Sequence, residues 1–593
     1  MRSLFLKVGN GILPVAALAL AVFLSPVAYA ETYECTDKQL VPMIAISSAM
    51  PTPKTDGSTG GVNICAGAAF AWNAFMAVNW PAQQGGREIA DTSKRFGQGS
   101  PTVWETMRAK VEVYPGNASA MVPPHGVVLS NAKPSNPPDY GYNQAPEYFY
   151  SPTGVKTADG RIKACAKQTP VTVPAWIPLD ETTQIGNNQT FAGVLPEKDA
   201  KGLNSKPQLI RYAVKMNKAL YTKVIGGQYW YNTAGSPLQK AKANYVTALK
   251  QGTGSNPVEP YVNFAHTNFQ DPYSVEVKSS WRPLTDQEAA SGRFYQSKVR
   301  YYEEDATGTA CYREDVWGLV GMHLISFPAN APWVIWATFE QSDNILTADN
   351  SRTEDENGNI LKPNPGGNPT TPMLSSDPKV LKPVVTKTGD YCDKPGARLF
   401  FRENPNYGTL PADGNICVNA RWNAIQEPIL TANKVAHQTM QTYLNAPGSK
   451  SKTSPWLFYK LVNVQAEPVD YAGKDNPRFG TTATYYSANV TIETDYSLGM
   501  FNGRLVNGVP STVEQAAPSG PLTGYTNTNL LPFQSGRLSF QNMNAGGCAG
   551  CHGNTAARGN DFSFALGDNV AKPEAVDAFN KAKGFRNYMP PAK

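Results

Sequence analysis

Histidine is the scarcest functional residue in this chain of 593 residues, with only 5 copies. His125, His266, His323, His437 and His552 lie far apart, which argues against a multi-histidine metal site built from local spacing. Cysteine is nearly as rare, with 8 copies and no second C-x-x-C. Charged residues make up only 17% of the chain, and Lys plus Arg exceed Asp plus Glu by 53 to 47. That balance gives no electrostatic footprint for nucleic acid. No G-x-S-x-G, H-E-x-x-H or P-loop occurs, so the chemistry those motifs carry is not indicated. Beyond the first thirty residues no apolar run is long enough to span a bilayer.

What is present begins at the N-terminus. Arg2 and Lys7 form a basic start, Ile12 through Leu24 an apolar run, and Ala28-Tyr29-Ala30 a small-x-small cleavage site before Glu31. Residues 1–30 therefore read as a secretory signal, and its removal lowers the formal charge from +6 to +4. An exported chain of that length has ample material for a large core and more than one domain.

The most specific signal is Cys548-Ala549-Gly550-Cys551-His552, a C-x-x-C-H motif. Two thiols three positions apart on one helical turn can each close a thioether to a haem vinyl group. The following imidazole then lies under the iron as proximal ligand. A zinc half-site, or a disulfide plus a surface histidine, is the competing reading; for zinc the chain offers no second ligand pair of suitable spacing. The motif predicts one covalent haem c held by Cys548, Cys551 and His552. Export supports it, because covalent haem attachment takes place outside the bacterial inner membrane.

The remaining six cysteines, Cys35, Cys65, Cys165, Cys311, Cys392 and Cys417, suit an oxidising compartment and three disulfides. Six cysteines allow fifteen connectivities. Pairing of chain neighbours is the expectation: Cys35–Cys65, Cys165–Cys311 and Cys392–Cys417.

Periodicity predicts a buried helix from Ala66 to Val78, stopped at Asn79-Trp80-Pro81, and a short strand at Val111–Tyr114. Amphipathic helices are expected at Leu209–Val224, Leu238–Leu249 and Ile429–Leu444, the last with Pro428 in its first turn. Strands are expected at Ser274–Ser280, Ser297–Glu303 and Trp456–Val464. Val316–Phe327 and Trp333–Phe339 read as a hairpin. The acidic run Asp349–Asn359 reads as a solvated turn at Asn357-Gly358 rather than a calcium loop.

The fold class expected is α+β: a large strand-rich body followed by a small all-α haem segment. Residues 31–350 form the mixed body, strand-rich in its second half. Residues 351–504 form its continuation or a second subdomain after a polar loop. Residues 505–535, rich in Gly, Pro, Ser, Thr and Asn, form a tether to the haem domain at 536–593.

Gly536-Arg537-Leu538-Ser539-Phe540 before the motif, and Gly553 after it, resemble the opening of cytochrome c: a short helix with a buried aromatic, then C-x-x-C-H-G. That resemblance covers about the last sixty residues. It implies a distal Met on a later loop, and Met589-Pro590-Pro591 is the candidate. A Met ligand would raise the haem potential relative to a second His. The family normally packs a further helix after that Met. Here the resemblance implies that the large preceding body supplies the packing instead.

Scattered motifs across the body resemble a group of large bacterial exported proteins classed as cytochrome c family proteins. They are Trp72-x-x-Phe75-x-x-x-Asn79-Trp80-Pro81, Trp104-Glu105, Gly321-x-His323, Trp336-Ala337-Thr338-Phe339-Glu340, Asp343-Asn344 and Asp561-Phe562-Ser563-Phe564. Gln341 stands where that group often carries His. The resemblance implies covalent haem and little about substrate. The tryptophans read first as core residues. His323, on an apolar strand, reads as a hydrogen-bonded core histidine rather than a ligand.

Three functions remain open at this stage. The first is a periplasmic cytochrome passing single electrons between a protein or small-molecule donor and acceptor, with secretion to the exterior as the other destination. The second is a haem oxidoreductase whose body binds a substrate. The third is a haem-based sensor. No nucleic-acid partner and no membrane span after signal cleavage are expected.

Overall fold

The computed structural model describes most residues from 35 to 466, with gaps that include 53–63, 149–161, 193–207, 363–397 and 401–415. It also describes 487–493, 531–533, 537–539 and separate positions between 548 and 566. The signal segment, Met589, Cys551, most of the tether, and the Cys392–Cys417 pairing lie outside the described residues.

The described part is α+β. An eight-stranded sheet contains β1 (Arg108–Ala109), β2 (Ile177–Leu179), β3 (Arg211–Met216), β4 (Ser274–Arg282), β5 (Gln296–Glu304), β6 (Ala310–Phe327), β7 (Ile335–Gln341) and β8 (Tyr459–Gln465). Its main path runs β1-β3-β4-β6-β5-β2, while β7 pairs with β6 and β8 with β7. Beyond β2, Glu181 exchanges backbone hydrogen bonds with Tyr212 of β3, so the path curls back on itself.

The longer helices among the described residues are α1 (Ile64–Val78), α2 (Lys218–Gly226), α3 (Pro237–Gln251) and α4 (Glu427–Asn445). In α1, buried apolar side chains cover nearly every face, because helix α4 and strand β8 pack on it from different sides. One core joins α1 and α4 to Val275, Val277, Leu319, Met322 and Leu324 of the sheet. A second core lies on the other face and joins α2 to Met216, Ile325, Phe327 and Trp336. Each fully buried large side chain in these cores contributes about 1.5–3 kcal/mol.

Two local expectations fail for identifiable reasons. Val111–Tyr114 is not a strand, since Lys110–Val113 forms a helical turn. Glu112 folds back to accept from the Ala109 amide at 2.8 Å and is held by Arg87 and Arg108. Leu209–Val224 is not one helix. Its first half is β3, paired antiparallel with β4, and the helix begins only after Asn217. The Asn217 carboxamide oxygen accepts from both the Leu220 and the Val275 amides, capping α2 and fixing it to β4. The expected hairpin forms between β6 and β7. Pro428 sits in the first turn of α4. Asp355 closes the Asn357-Gly358 turn by accepting from the Asn357 and Asn359 amides.

Two of the expected disulfides are formed, Cys35–Cys65 and Cys165–Cys311. The second follows from the bridge between Ala164 and Tyr312, which sets the two cysteines side by side.

Buried charge ties the later chain to the sheet. Arg421 binds Glu354 at 2.7 Å and also Glu340 of β7, and Lys460 of β8 binds Glu354 at 2.6 Å. Burial alone would raise the Glu354 carboxyl, but Arg421 and Lys460 outweigh it and hold it down at about 2. Arg421→Met leaves two buried carboxylates facing one lysine. The expected loss is about 3–5 kcal/mol, read as a lower urea midpoint; an unchanged midpoint would mean that the network is dispensable.

His437 of α4 is pressed between Asn357 and the Tyr459 carbonyl, at 2.7 and 2.8 Å. Burial pushes it down from 6.5 to about 4, against a smaller opposing pull from that carbonyl. The folded chain thus keeps His437 neutral where the unfolded chain takes up a proton. Its contribution is fully present above pH 6.5 and fades as pH falls toward 4, by about 1.4 kcal/mol per unit. Urea midpoints at pH 7 and 4.5 should show this fall, and His437→Gln should flatten it.

Candidate functional site

Strand alternation places two rows of side chains on the sheet face opposite the α1–α4 core. The register sets Val214, Lys278, His323 and Thr338 in one row across β3, β4, β6 and β7. The next row is Met216, Glu276, Ile325 and Trp336. Except for Met216, these residues line a cavity of about 410 Å³, within the usual range for small-molecule sites.

The other wall comes from the C-terminal segment. Cys548, His552, Phe564 and Ala565 all line the same cavity. The His552 ring packs on Trp336, with centroids 4.4 Å apart, and edge-on to Phe564 at 4.7 Å. His552 and Thr555 are helical, and the Thr555 hydroxyl donates to the His552 carbonyl at 2.7 Å.

Several contacts fasten this segment to the body. Ser563 Oγ donates to Glu276 at 2.7 Å, and Asp561 accepts from the Phe264 amide at 2.5 Å. Lys242 of α3 donates to the Leu566 carbonyl at 3.1 Å. At Gly559, φ is +86°, and a Cβ would lie 2.6 Å from the Lys242 carbonyl oxygen, so only glycine fits against α3. Ala565 and Leu566 join the second core. The body thus supplies packing for the C-x-x-C-H segment.

The cavity's charges are largely matched. Lys110 binds Glu181 at 2.7 Å, while Gln184 bonds to both Glu181 and Lys278. Burial acts to raise Glu181, but Lys110 and Lys278 together hold its carboxyl well below the usual range. Burial pushes Glu276 up, with Ser563 and Lys278 opposing it. His323 differs from these groups. Its Nε2 is buried and makes no hydrogen bond, with Glu493 Oε1 at 3.4 Å. It is therefore not the satisfied core histidine expected of an apolar strand.

Glu493 arrives there because of Gly321. A Cβ at Gly321 would lie 2.6 Å from Ser280 Oγ and also collide with Thr491 and Asn489. Glycine lets the segment 487–493 lie against β6, where Asn489 donates to the Phe339 carbonyl at 2.8 Å. The Trp72, Asn79, Trp104 and Asn344 motif positions do structural work instead. Trp72 donates to Asn433, Trp104 to Asn79, and Asn344 to the Val320 carbonyl.

The expectation of a metal-binding chain is corrected by the side chains present. Among the described residues no group of three or more His, Cys, Asp or Glu could hold a metal ion. Glu181 is engaged by Lys110, Glu276 by Ser563 and Glu493 by the Asn489 amide, and His437 is locked inside the α1–α4 layer. Among the described residues no helix is long and apolar enough to cross a membrane.

No family model matches the chain. No curated protein matches it. No solved structure matches its fold. The likeness to exported cytochromes therefore rests on the quoted residues.

Glu276, buried and bonded to Ser563, offers a direct test of the cavity's electrostatics. Glu276→Gln keeps an oxygen acceptor for Ser563 and removes a carboxyl that burial disfavours as an anion. The expected Tm at pH 7 is unchanged or higher; a drop of several degrees would mean that the charge is needed against Lys110 and Lys278.

Proposed function

We propose that the chain is an exported c-type cytochrome that carries one haem c and passes single electrons. Cys548 and Cys551 hold the haem through thioethers, and His552 is its proximal ligand. The observation that carries this reading is that Cys548 and His552 face one cavity together with the central sheet. The residues present suit the group. Val214, Ile325, Trp336, Ile492 and Phe564 give the cavity apolar walls. A haem would bring porphyrin ligands of its own, so His552 and one further side chain could hold it without a cluster of protein ligands.

A bound haem supplies a one-electron couple whose potential depends on axial ligation and burial. This chain's residues orient and shield it. Trp336 and Phe564 fix the His552 ring, and Ser563 and Asp561 lock the segment against β4 and the Phe264 loop. The N-terminal signal pattern and the two disulfides support a periplasmic location. The partner is a redox protein or a small-molecule donor or acceptor.

A second reading, a haem oxidoreductase, is favoured by the titratable set Lys110, Glu181, Glu276 and Lys278 around the cavity. Electron relay alone does not require so many ionisable groups.

Cys551→Ser tests the attachment. The variant should lose one thioether, shift the reduced haem spectrum and show weaker haem staining on denaturing gels. Wild-type protein without denaturation-resistant haem, or a variant identical to it, would refute the reading.

A further inference from the structure

We propose that His323 is the second axial ligand of the haem, in place of Met589. The inference rests on the haem reading above and concerns the face that His552 does not occupy. His323 projects from β6 into the cavity that Cys548 and His552 line from the opposing segment. Its Nε2 is buried without a hydrogen-bond partner. Leaving such a group unsatisfied is unfavourable, and imidazole Nε2 is a common haem donor atom.

Neighbouring cavity groups are already engaged. Lys278, beside His323 in the same row, bonds to Gln184. Lys110 is paired with Glu181, and Glu276 accepts from Ser563. Glu493 contacts the imidazole at 3.4 Å, beyond a normal hydrogen bond, and its other carboxylate oxygen accepts from the Asn489 amide. Gly321, two residues before His323, admits the segment that carries Glu493, so one short motif shapes both. Rigid pairing on both edges of β6 holds His323 in place, with Lys278 opposite on β4 and Thr338 opposite on β7. A side chain on a paired central strand is held in position by its neighbours on both edges.

Two imidazole ligands make a closed centre of lower potential than a His/Met pair. That arrangement suits electron transfer and disfavours direct attack on a small substrate.

The test uses full-length haem-loaded protein, with optical and electron paramagnetic resonance spectra recorded in both oxidation states, with and without carbon monoxide. Wild type should be low-spin, lack the weak red band of iron–sulfur ligation, and show no carbon monoxide shift. His323→Ala should become high-spin and bind carbon monoxide, and added imidazole should restore the low-spin spectrum. His323→Met keeps a side chain of similar bulk; it should gain the iron–sulfur band and a raised potential. A wild-type iron–sulfur band that vanishes in Met589→Ala would overturn the assignment, as would His323 variants with wild-type spectra. Absence of covalent haem in the wild type would instead refute the proposed function itself.

Discussion

The 18-residue strand Ala310–Phe327 is the constraint on which the rest depends. Its first half pairs with Gln296–Glu304. Its second half pairs with Ser274–Arg282 on one edge and Ile335–Gln341 on the other. A ladder shared with three neighbours fixes register, because a slip by one residue would exchange the two faces of the sheet. In the observed register Met322 and Leu324 enter the α1–α4 core, while His323 and Ile325 face the cavity. Core and candidate site are thus opposite sides of the same strand.

Charge is distributed by the same logic. The Arg421–Glu340–Glu354–Lys460 network lies where the later chain meets the outer strands. Fixed counter-charges replace water around Glu354 and hold its carboxyl below the usual range. On the cavity side, ion pairs and hydrogen bonds use most of the polar capacity, and His323 Nε2 stands apart from that pattern. The C-terminal segment completes this side: Ala565 and Leu566 enter the second core, and Ser563 and Asp561 bond to residues far earlier in the chain.

The quoted body motifs divide once their surroundings are known. Trp72, Asn79, Trp104 and Asn344 satisfy buried hydrogen bonds. Gly321-x-His323, Trp336 and Ser563-Phe564 converge on the cavity beside His552. No spacing in the sequence separates these two sets, because tryptophan buries large area in either role. Helix α1 and the β6–β7 hairpin were legible, since burial on several sides and strong apolar runs leave periodic traces. The Leu209–Val224 stretch misled because its helical spacing was overridden by pairing with β4, a partner distant in sequence.

By itself, the sequence determined the patterns that depend on neighbours: a C-x-x-C-H motif, a signal-like start, and cysteines suited to disulfides. The spacing of two thiols and an adjacent imidazole is a local pattern, so it can be read from consecutive residues. Only the tertiary structure decided that His323, Glu493, Lys110 and Glu276 surround the same cavity as His552. Those residues come from separate strands and loops, and strand register with close packing at Gly321 and Gly559 brings them together. Cross-strand pairing joins residues at any sequence separation, so it leaves no local pattern to read.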